Sequence, residues 1–228
     1  MAVPATSGLF KTDLLDMNVG DYIACKATSI NTGTVVTLSD LGASLATATS
    51  NEISTTTLPT SPSGYFYFIK VTKGRLVADR NIHGSVTWAI YNNNNLIEGK
   101  SVTIGTNNVF IRSLTGGSAY ATSAYARASV DYSTGYAFPE GNEYDKYIVL
   151  SDLGGTATPN NDNVWHYSAS YSWCQEMEAY DVASSATFKT SRGKSAVNNY
   201  GSKQTNAGFR PLLEFNESNA PSYTIWGC

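Results

Sequence analysis

Few side chains in this chain could do acid–base chemistry near neutral pH. The 228 residues include only two histidines, His83 and His166, and histidine is the side chain whose ordinary pKa lies in that range. His166 stands between two large aromatic residues, which favours a structural hydrogen bond over catalysis. His83, just before a predicted strand, is interpreted in the same way. The histidines therefore do not indicate an enzyme.

The densest group of carboxylates is Glu176, Glu178 and Asp181. Two carboxylates roughly 5–9 Å apart could hydrolyse a glycosidic bond, but a solvated loop after Cys174 is the favoured interpretation. The chain has no Gly-x-Ser-x-Gly elbow, no His-Glu-x-x-His helix and no phosphate-binding glycine loop. We therefore predict that the protein is not an enzyme and needs no cofactor and no metal. Glycan degradation by these carboxylates is kept as an alternative.

The rare arginines and cysteines are predicted to be structural. Because only 14% of the residues are charged, Arg192 and Arg210 are expected to anchor loops through hydrogen bonds to carbonyls or carboxylates. Cys25 and Cys174 are expected to be buried as small apolar side chains. Three cysteines without short spacings form neither a disulfide framework nor a metal motif, and the state of Cys228 stays open.

Composition excludes some classes of partner. The net charge is −3, so no basic surface for nucleic acid is indicated. No apolar run reaches the ~18 residues that insert across a membrane, and residues 1–20 lack the pattern of a signal peptide. Hydroxyl and amide side chains supply the surface polarity, as in many extracellular and virion proteins. A virion protein made in the cytoplasm and released by lysis fits both observations, as does a chain whose signal was removed.

Short runs of β-branched and aromatic residues, separated by glycine, asparagine and serine, predict a β-rich α+β protein. Seven strands are expected, at Tyr22–Ala27, Thr34–Leu38, Tyr65–Val71, Arg75–Asp79, Ser85–Tyr91, Val109–Leu114 and within 208–215. Gly74 predicts a tight hairpin between two of them. The segment Ala43–Ser63 predicts a long surface loop. Pro211 predicts a bulge or an edge position at the start of the last strand.

Two helices and one aromatic strand complete the predicted elements. Helices are expected over Thr12–Met17 and Glu143–Leu150, the second with Asn142 as its N-cap. The run Val164–Cys174 alternates in part and predicts a strand with four aromatic side chains on one face. These side chains, either a core wall or a stacking platform, are Trp165, Tyr167, Tyr171 and Trp173. The core wall is favoured for the two tryptophans.

Three motifs follow one another in the second half of the chain. They are Asn142-Glu143-Tyr144-Asp145, Arg192-Gly193 and Gly208-Phe209-Arg210. Their order, over residues 105–215, resembles the Asn-Glu-Trp, Arg-Gly-Gly and Gly-Phe-Arg motifs of formylglycine-generating-enzyme-like proteins, which implies a C-type-lectin-like fold. The neighbouring cysteines of the oxidases in that family and the Glu-Pro-Asn calcium motif of sugar-binding lectins are missing. Any sugar binding is therefore expected to be independent of calcium.

Six stretches carry a second, narrower resemblance that covers nearly the whole chain. They are Phe10–Asp21, Tyr65–Asp79, Ile111–Tyr120, Phe138–Leu150, Asp162–Cys174 and Gly208–Phe215. Together they are similar to tail or appendage proteins of phages and prophages of Gram-positive bacteria. The resemblance implies a virion-associated receptor-binding protein that recognises a bacterial surface glycan or protein. It places ligand contacts at Tyr167, Tyr171, Trp173, Asn198, Asn199 and Tyr200.

The predicted organisation is an N-terminal β domain over residues 1–100, for assembly or attachment, and a C-type-lectin-like binding domain over residues 101–228. Tail proteins commonly act as symmetric oligomers because avidity multiplies weak single-site affinity. We therefore expect a homo-oligomer, a trimer, that contacts other virion or appendage subunits. The alternative is a purely structural subunit whose tyrosine and tryptophan side chains pack against neighbouring subunits.

Overall fold

The computed structural model describes residues 3–30, 35–117, 119–120, 137–138, 141–177, 189–193, 200–201 and 207–217. Its largest element is an eight-stranded sheet. The strands of that sheet are β1 (Phe10–Lys11), β2 (Tyr22–Ile30), β3 (Val35–Ser39), β4 (Ser63–Thr72), β5 (Arg75–Ala78), β6 (Lys100–Ile104), β7 (Asn107–Ser113) and β13 (Pro211–Glu214). The predicted β-rich α+β class is confirmed.

Smaller elements flank the sheet. The helical ones are α1 (Leu45–Ser50), α2 (Trp88–Asn93), a π-helix (Asp145–Val149), α3 (Asp162–Trp165) and a 3-10 turn (Tyr167–Ala169). The remaining strands are β8 (Ala119–Tyr120), β9 (Ala137–Phe138), β10 (Tyr171–Met177), β11 (Lys189–Gly193) and β12 (Tyr200–Gly201). Strands β10, β11 and β12 form a second, antiparallel sheet, and β8 pairs with β9. None of the described helices is long and apolar enough to cross a bilayer.

The strand order in the sheet is β1-β2-β4-β5-β13-β7-β6. Strand β3 also pairs with β2: β1 pairs with the first residues of β2, and β3 pairs with the last ones. Strand β13 comes last in the chain but lies between β5 and β7, so it is a central strand. Pro211 pairs only with β7, while the ladder to β5 begins one residue later. The missing N–H of proline therefore costs no ladder hydrogen bond to β5. The sheet continues across residue 100, where strand β6 begins.

Both faces of the sheet are buried against hydrophobic cores. Side chains of one face, including those of Phe66, Phe68 and Leu213, form the larger core with the tryptophan of β10. The opposite face contributes Ile69 and Leu212 to a second core, which is closed by the π-helix and α3. Because each face has its own core, β4 is buried along nearly its whole length rather than at alternate residues only.

Three predicted elements differ from the structure. The Thr12–Met17 segment forms turns, so the predicted helix is wrong. The predicted strand Ser85–Tyr91 is also wrong, because Thr87 acts as an N-cap and starts helix α2, its hydroxyl accepting from the Ile90 N–H at 3.4 Å. The long loop predicted over Ala43–Ser63 contains helix α1.

The aromatic run Val164–Cys174 is not one strand. It is divided into α3, the 3-10 turn and β10, and His166 lies between the two helical pieces with a left-handed φ of 42°. The prediction of one uninterrupted strand is therefore wrong. The hairpin glycine is as predicted, with a φ of 68° at Gly74. A helical segment follows Asn142, whose side-chain oxygen accepts from the Asp145 N–H at 3.0 Å, as predicted for an N-cap.

Candidate functional site

The predicted ligand-contacting aromatics of the second half are used largely inside the protein. Trp173 is only 3% exposed, and its indole N–H donates to the Val86 carbonyl at 3.1 Å. Tyr167 is 7% exposed, and its hydroxyl donates to the Asn160 side-chain oxygen at 3.0 Å. In this arrangement neither ring has an exposed face on which a ligand could stack. The burial predicted for Trp165 and Trp173 is confirmed, but the two side chains lie in different cores and form no common wall.

The other predicted contacts are placed in part or not at all. Tyr171 is partly buried and packs against the larger core, and its backbone pairs with Gly193. The backbone of Tyr200 pairs with Arg192. The side chain of Tyr200 lies outside the described residues, as do the predicted contacts Asn198 and Asn199. For these residues ligand contact stays a prediction.

The Arg-Gly and Asn-Glu-Tyr-Asp motifs meet in the interior. The Arg192 guanidinium ion-pairs with the Asp145 carboxylate, donates to the Gly116 carbonyl at 2.9 Å, and lies 4.8 Å from the centre of the Tyr144 ring. Gly193 has a φ of 96°, and a Cβ there would stand 2.7 Å from the Tyr144 hydroxyl oxygen. Glycine is therefore required after Arg192 both by backbone conformation and by space.

Arg210, in the Gly-Phe-Arg motif, is also an internal anchor. Its side chain is fully buried, and it donates from Nη1 to the Ala78 carbonyl at 2.8 Å and from Nε to the Ser172 hydroxyl at 3.2 Å. Burial lowers the pKa of this guanidinium from its ordinary value. The structural role predicted for Arg192 and Arg210 is confirmed, because both bind carbonyls or carboxylates of neighbouring segments.

The residues considered for acid–base chemistry are largely buried or hydrogen-bonded where the structure describes them. Burial lowers the pKa of His83 and of His166, and Nδ1 of His83 lies 3.2 Å from the Tyr91 hydroxyl. The carboxylate of Glu176 accepts from the Gly116 N–H at 2.8 Å. Glu178 and Asp181 lie outside the described residues. Cys25 and Cys174 are buried and free, as predicted.

A chain of ion pairs leads from the interior to the surface at the end of β13. Arg112 binds both oxygens of Glu143 at 2.6 Å and also donates to Glu214 at 2.7 Å. Nη1 of Arg75 lies 3.4 Å from Oε1 of Glu143, and Nε of Arg75 lies 3.3 Å from Oε1 of Glu214. Burial alone would raise the pKa of Glu143, but the hydrogen bonds and charge of Arg112 outweigh it and lower that pKa. The network therefore holds Glu214 in one position.

A groove opens where this network reaches the surface. Strand β13 pairs with β7 only as far as Glu214, opposite Phe110, whereas β7 begins three residues earlier at Asn107. The notch left at the end of β13 is an open groove of about 490 Å³. The side chains that line it include Ser101, Asn108, Phe110, Glu214, Phe215 and Asn216.

A smaller depression continues the groove on the other side of Asn108 and Phe215. Its volume is about 150 Å³, and its lining includes Leu14, Leu15 and Thr106. Leu15 is 39% exposed, which is unusual for a large aliphatic side chain among the described residues. The two depressions share Asn108 and Phe215. Together they form one elongated surface, which we call the β7–β13 groove.

The polar side chains of the β7–β13 groove are oriented by their neighbours. The side-chain oxygen of Asn108 accepts from the Thr103 hydroxyl at 2.9 Å, which leaves the amide nitrogen as the outward donor. In Glu214, Oε1 receives both arginine contacts. Oε2 has no partner among the described residues, and the side chain is 31% exposed. The groove thus offers an amide donor and a carboxylate acceptor beside two phenyl rings.

Sequence reasoning missed the β7–β13 groove. Its aromatic and polar residues come from three separated strands and from the segment that leaves β13, so no single motif contains them. The adjacent amides Asn107 and Asn108, at the start of a strand, are the only local signal.

Comparison of the chain with protein-family models, with curated proteins and with solved structures found no match.

Proposed function

We propose that this protein is a virion- or appendage-associated receptor-binding protein that binds a glycan on a bacterial surface without catalysis. The β7–β13 groove is the proposed binding site. The observation that carries the proposal is the combination of Phe110 and Phe215 with the oriented amide of Asn108 and the anchored carboxylate of Glu214.

This combination matches the chemistry of a sugar ring. A pyranose has an apolar face that stacks on an aromatic ring, and its hydroxyls both donate and accept hydrogen bonds. Phe110 and Phe215 are partly exposed, so each keeps some ring surface for contact. One hydroxyl can donate to Glu214 while its neighbour accepts from Asn108. None of these contacts requires a metal ion.

The interior supports a C-type-lectin-like arrangement of the second half. Arg192 of the second motif ion-pairs with Asp145 of the first, and Ser172 pairs with Arg192 and with Gly208 of the third. Such anchoring is expected of a fold that presents variable surface residues on a constant frame. Under this proposal the first hundred residues contribute to attachment within a homo-oligomeric appendage.

A structural subunit is the second candidate function. Within the described part of the chain, β6 has a strand partner on one side only, and its Ser101 and Thr103 side chains are exposed. An edge of this kind can pair with a strand of a neighbouring subunit. Ordered self-assembly of the purified protein, without affinity for any cell wall, would favour this alternative.

A cell-wall pull-down tests the glycan-binding proposal. Purified wild-type protein is expected to sediment with Gram-positive cell walls, and Phe215→Ala is expected to lose at least tenfold in affinity. Leu9→Ala is the matched control, because Leu9 is a 64% exposed apolar side chain that does not line the groove. Thermal melting must show that both variants fold. Equal sedimentation of all three proteins would exclude the groove as the binding site.

A further inference from the structure

Resting on the proposed function, we infer that the β7–β13 groove selects uncharged or amino-bearing saccharides and rejects polymers that carry phosphate or carboxylate groups. The inference comes from the charges at the groove rather than from its shape. Gram-positive surfaces present both kinds of polymer, so the charge of the groove decides which of them is recognised.

Glu214 is the only charged side chain among the described residues that line the groove. The cations that contact the lining residues of the groove are already paired: Arg75, whose side chain is 40% exposed, and Arg112 both contact Glu214, and Lys70, 5.8 Å from the centre of the Phe215 ring, is paired with Glu217. Arg112 gives two hydrogen bonds to Glu143 and one to Glu214, and Arg75 contacts the same two carboxylates. The two arginines and two glutamates balance in charge. Among the described residues, no cation lines the groove, and those beside it already have carboxylate partners.

An anionic group in the groove would meet the partly exposed carboxylate of Glu214. The two negative charges would repel each other, and the anion would also lose hydration without gaining a positively charged partner. A hydroxyl or an ammonium group would instead donate to Oε2 of Glu214. The same carboxylate thus attracts one class of sugar and excludes the other.

The amide of Asn108 adds a second condition. Because its oxygen accepts from the Thr103 hydroxyl, the amide nitrogen of Asn108 is oriented away from Thr103 and supplies two N–H donors at the groove. A ligand that uses both positions provides one donor for Glu214 and one acceptor for Asn108. Two neighbouring hydroxyls, or a hydroxyl beside an acetamido carbonyl, satisfy both positions.

Competition with defined polymers tests the inference. Cell-wall binding by the wild-type protein is measured in the presence of an uncharged chito-oligosaccharide, an uncharged cello-oligosaccharide, poly(glycerol phosphate) or polygalacturonate. At least one uncharged oligosaccharide is expected to compete, at least tenfold better than either polyanion. This preference is expected to persist at physiological salt, because the contact with Glu214 is short-range.

Two variants locate the selectivity. Glu214→Gln keeps an oxygen for Arg112 but replaces the free acceptor with a donor, so we expect at least tenfold weaker binding of the uncharged ligand and a smaller penalty for polyanions. Asn108→Asp keeps the acceptor for Thr103 but removes both donors, and it should also lose at least tenfold. Asn93→Asp, an exposed amide on α2 away from the groove, is the matched control.

The possible outcomes separate the inference from the proposed function. Competition by a polyanion equal to or better than that by the uncharged sugars would overturn the inference, even if Phe215→Ala still abolished wall binding. Unchanged selectivity in both Glu214→Gln and Asn108→Asp would overturn it as well. Absence of wild-type binding to every wall and polymer would overturn the proposed function, and the inference with it.

Discussion

The interior beside the sheet and the β7–β13 groove each contain a carboxylate held by arginine, but they differ in what remains available. In the interior, Asp145 is bound by Arg192 and by the Asn142 amide, and all three side chains are buried. In the groove, Glu214 is bound through one oxygen and keeps 31% of its side chain exposed.

The difference separates two uses of charge in a chain that has little of it. A fully buried pair loses hydration on both sides and is retained where it fixes the relative position of segments. A partly exposed carboxylate keeps an acceptor for a ligand. Four of the five arginines that the structure describes are buried, at Arg80, Arg112, Arg192 and Arg210. Although only 14% of the residues are charged, many of the described charged side chains are buried.

The largest effect is expected when the interior pair is broken. Arg192→Met should lower the free energy of unfolding by about 3–5 kcal/mol, because it leaves Asp145 buried without its cation. Arg75→Met is the control, since the Arg75 side chain is 40% exposed and its loss should cost about 1 kcal/mol or less. Urea denaturation measures both values. Equal costs would show that the two regions do not differ in this respect.

A smaller effect is expected from filling the space beside Tyr144. Gly193→Ala should cost about 2–3 kcal/mol, from positive φ and from contact of the new methyl with the Tyr144 hydroxyl. Gly105→Ala is the control, because Gly105 also has a positive φ but nothing within 4 Å of the added Cβ. Gly193→Ala is expected to lower the free energy of unfolding more than Gly105→Ala does. In a Tyr144→Phe background, which lacks the Tyr144 hydroxyl, this difference should become smaller. If the two alanine variants cost the same, the clash is unimportant.

Acid pH should weaken the interior before it affects the groove. Burial lowers the pKa of His166, Arg80 and Arg210 lower it further, and Asp79 and Asp162 oppose them; burial likewise lowers the pKa of His83. The unfolded state therefore binds protons first, so stability is full above about pH 6.5 and falls as the pH drops below it.

Chemical denaturation across this window measures the pH effect. Replacement of both His83 and His166 by glutamine should reduce the loss of stability between about pH 6.5 and pH 5. The lowered pKa of Glu143 acts at a lower pH, below the ordinary range of a carboxyl. An unchanged pH profile in the double variant would exclude the histidines as its cause.

The smallest effect on stability is expected in the groove. Asn108→Asp should change the free energy of unfolding by no more than about 0.5 kcal/mol, because Asn108 is exposed and keeps its contact with Thr103. Urea denaturation beside the binding assay makes the comparison. A loss of binding at unchanged stability would indicate that the groove binds a ligand. A large loss of stability would instead indicate that Asn108 stabilises the fold.

Much of the large sheet could be predicted from local sequence patterns, but the helical elements beside it could not. Strands β2, β4, β5 and β7 follow runs of β-branched and aromatic residues, and burial on one or both faces dictates such runs. The segment Ser85–Tyr91 has the same composition, yet helix α2 begins within it. There the hydroxyl of Thr87 caps a helix, and strand propensity is too weak a preference to prevent it.

The sequence by itself determined the β-rich class, the hairpin at Gly74, the buried cysteines and the anchoring roles of Arg192 and Arg210. Each depends on a property of a residue or a short segment, such as backbone freedom, apolar surface or the cost of burying a charge. Tertiary structure alone decided that β13 enters the middle of the sheet and ends beside the start of β7. The groove exists because two strands that are distant in sequence differ in where they end, and pairing across such distances leaves no local signal.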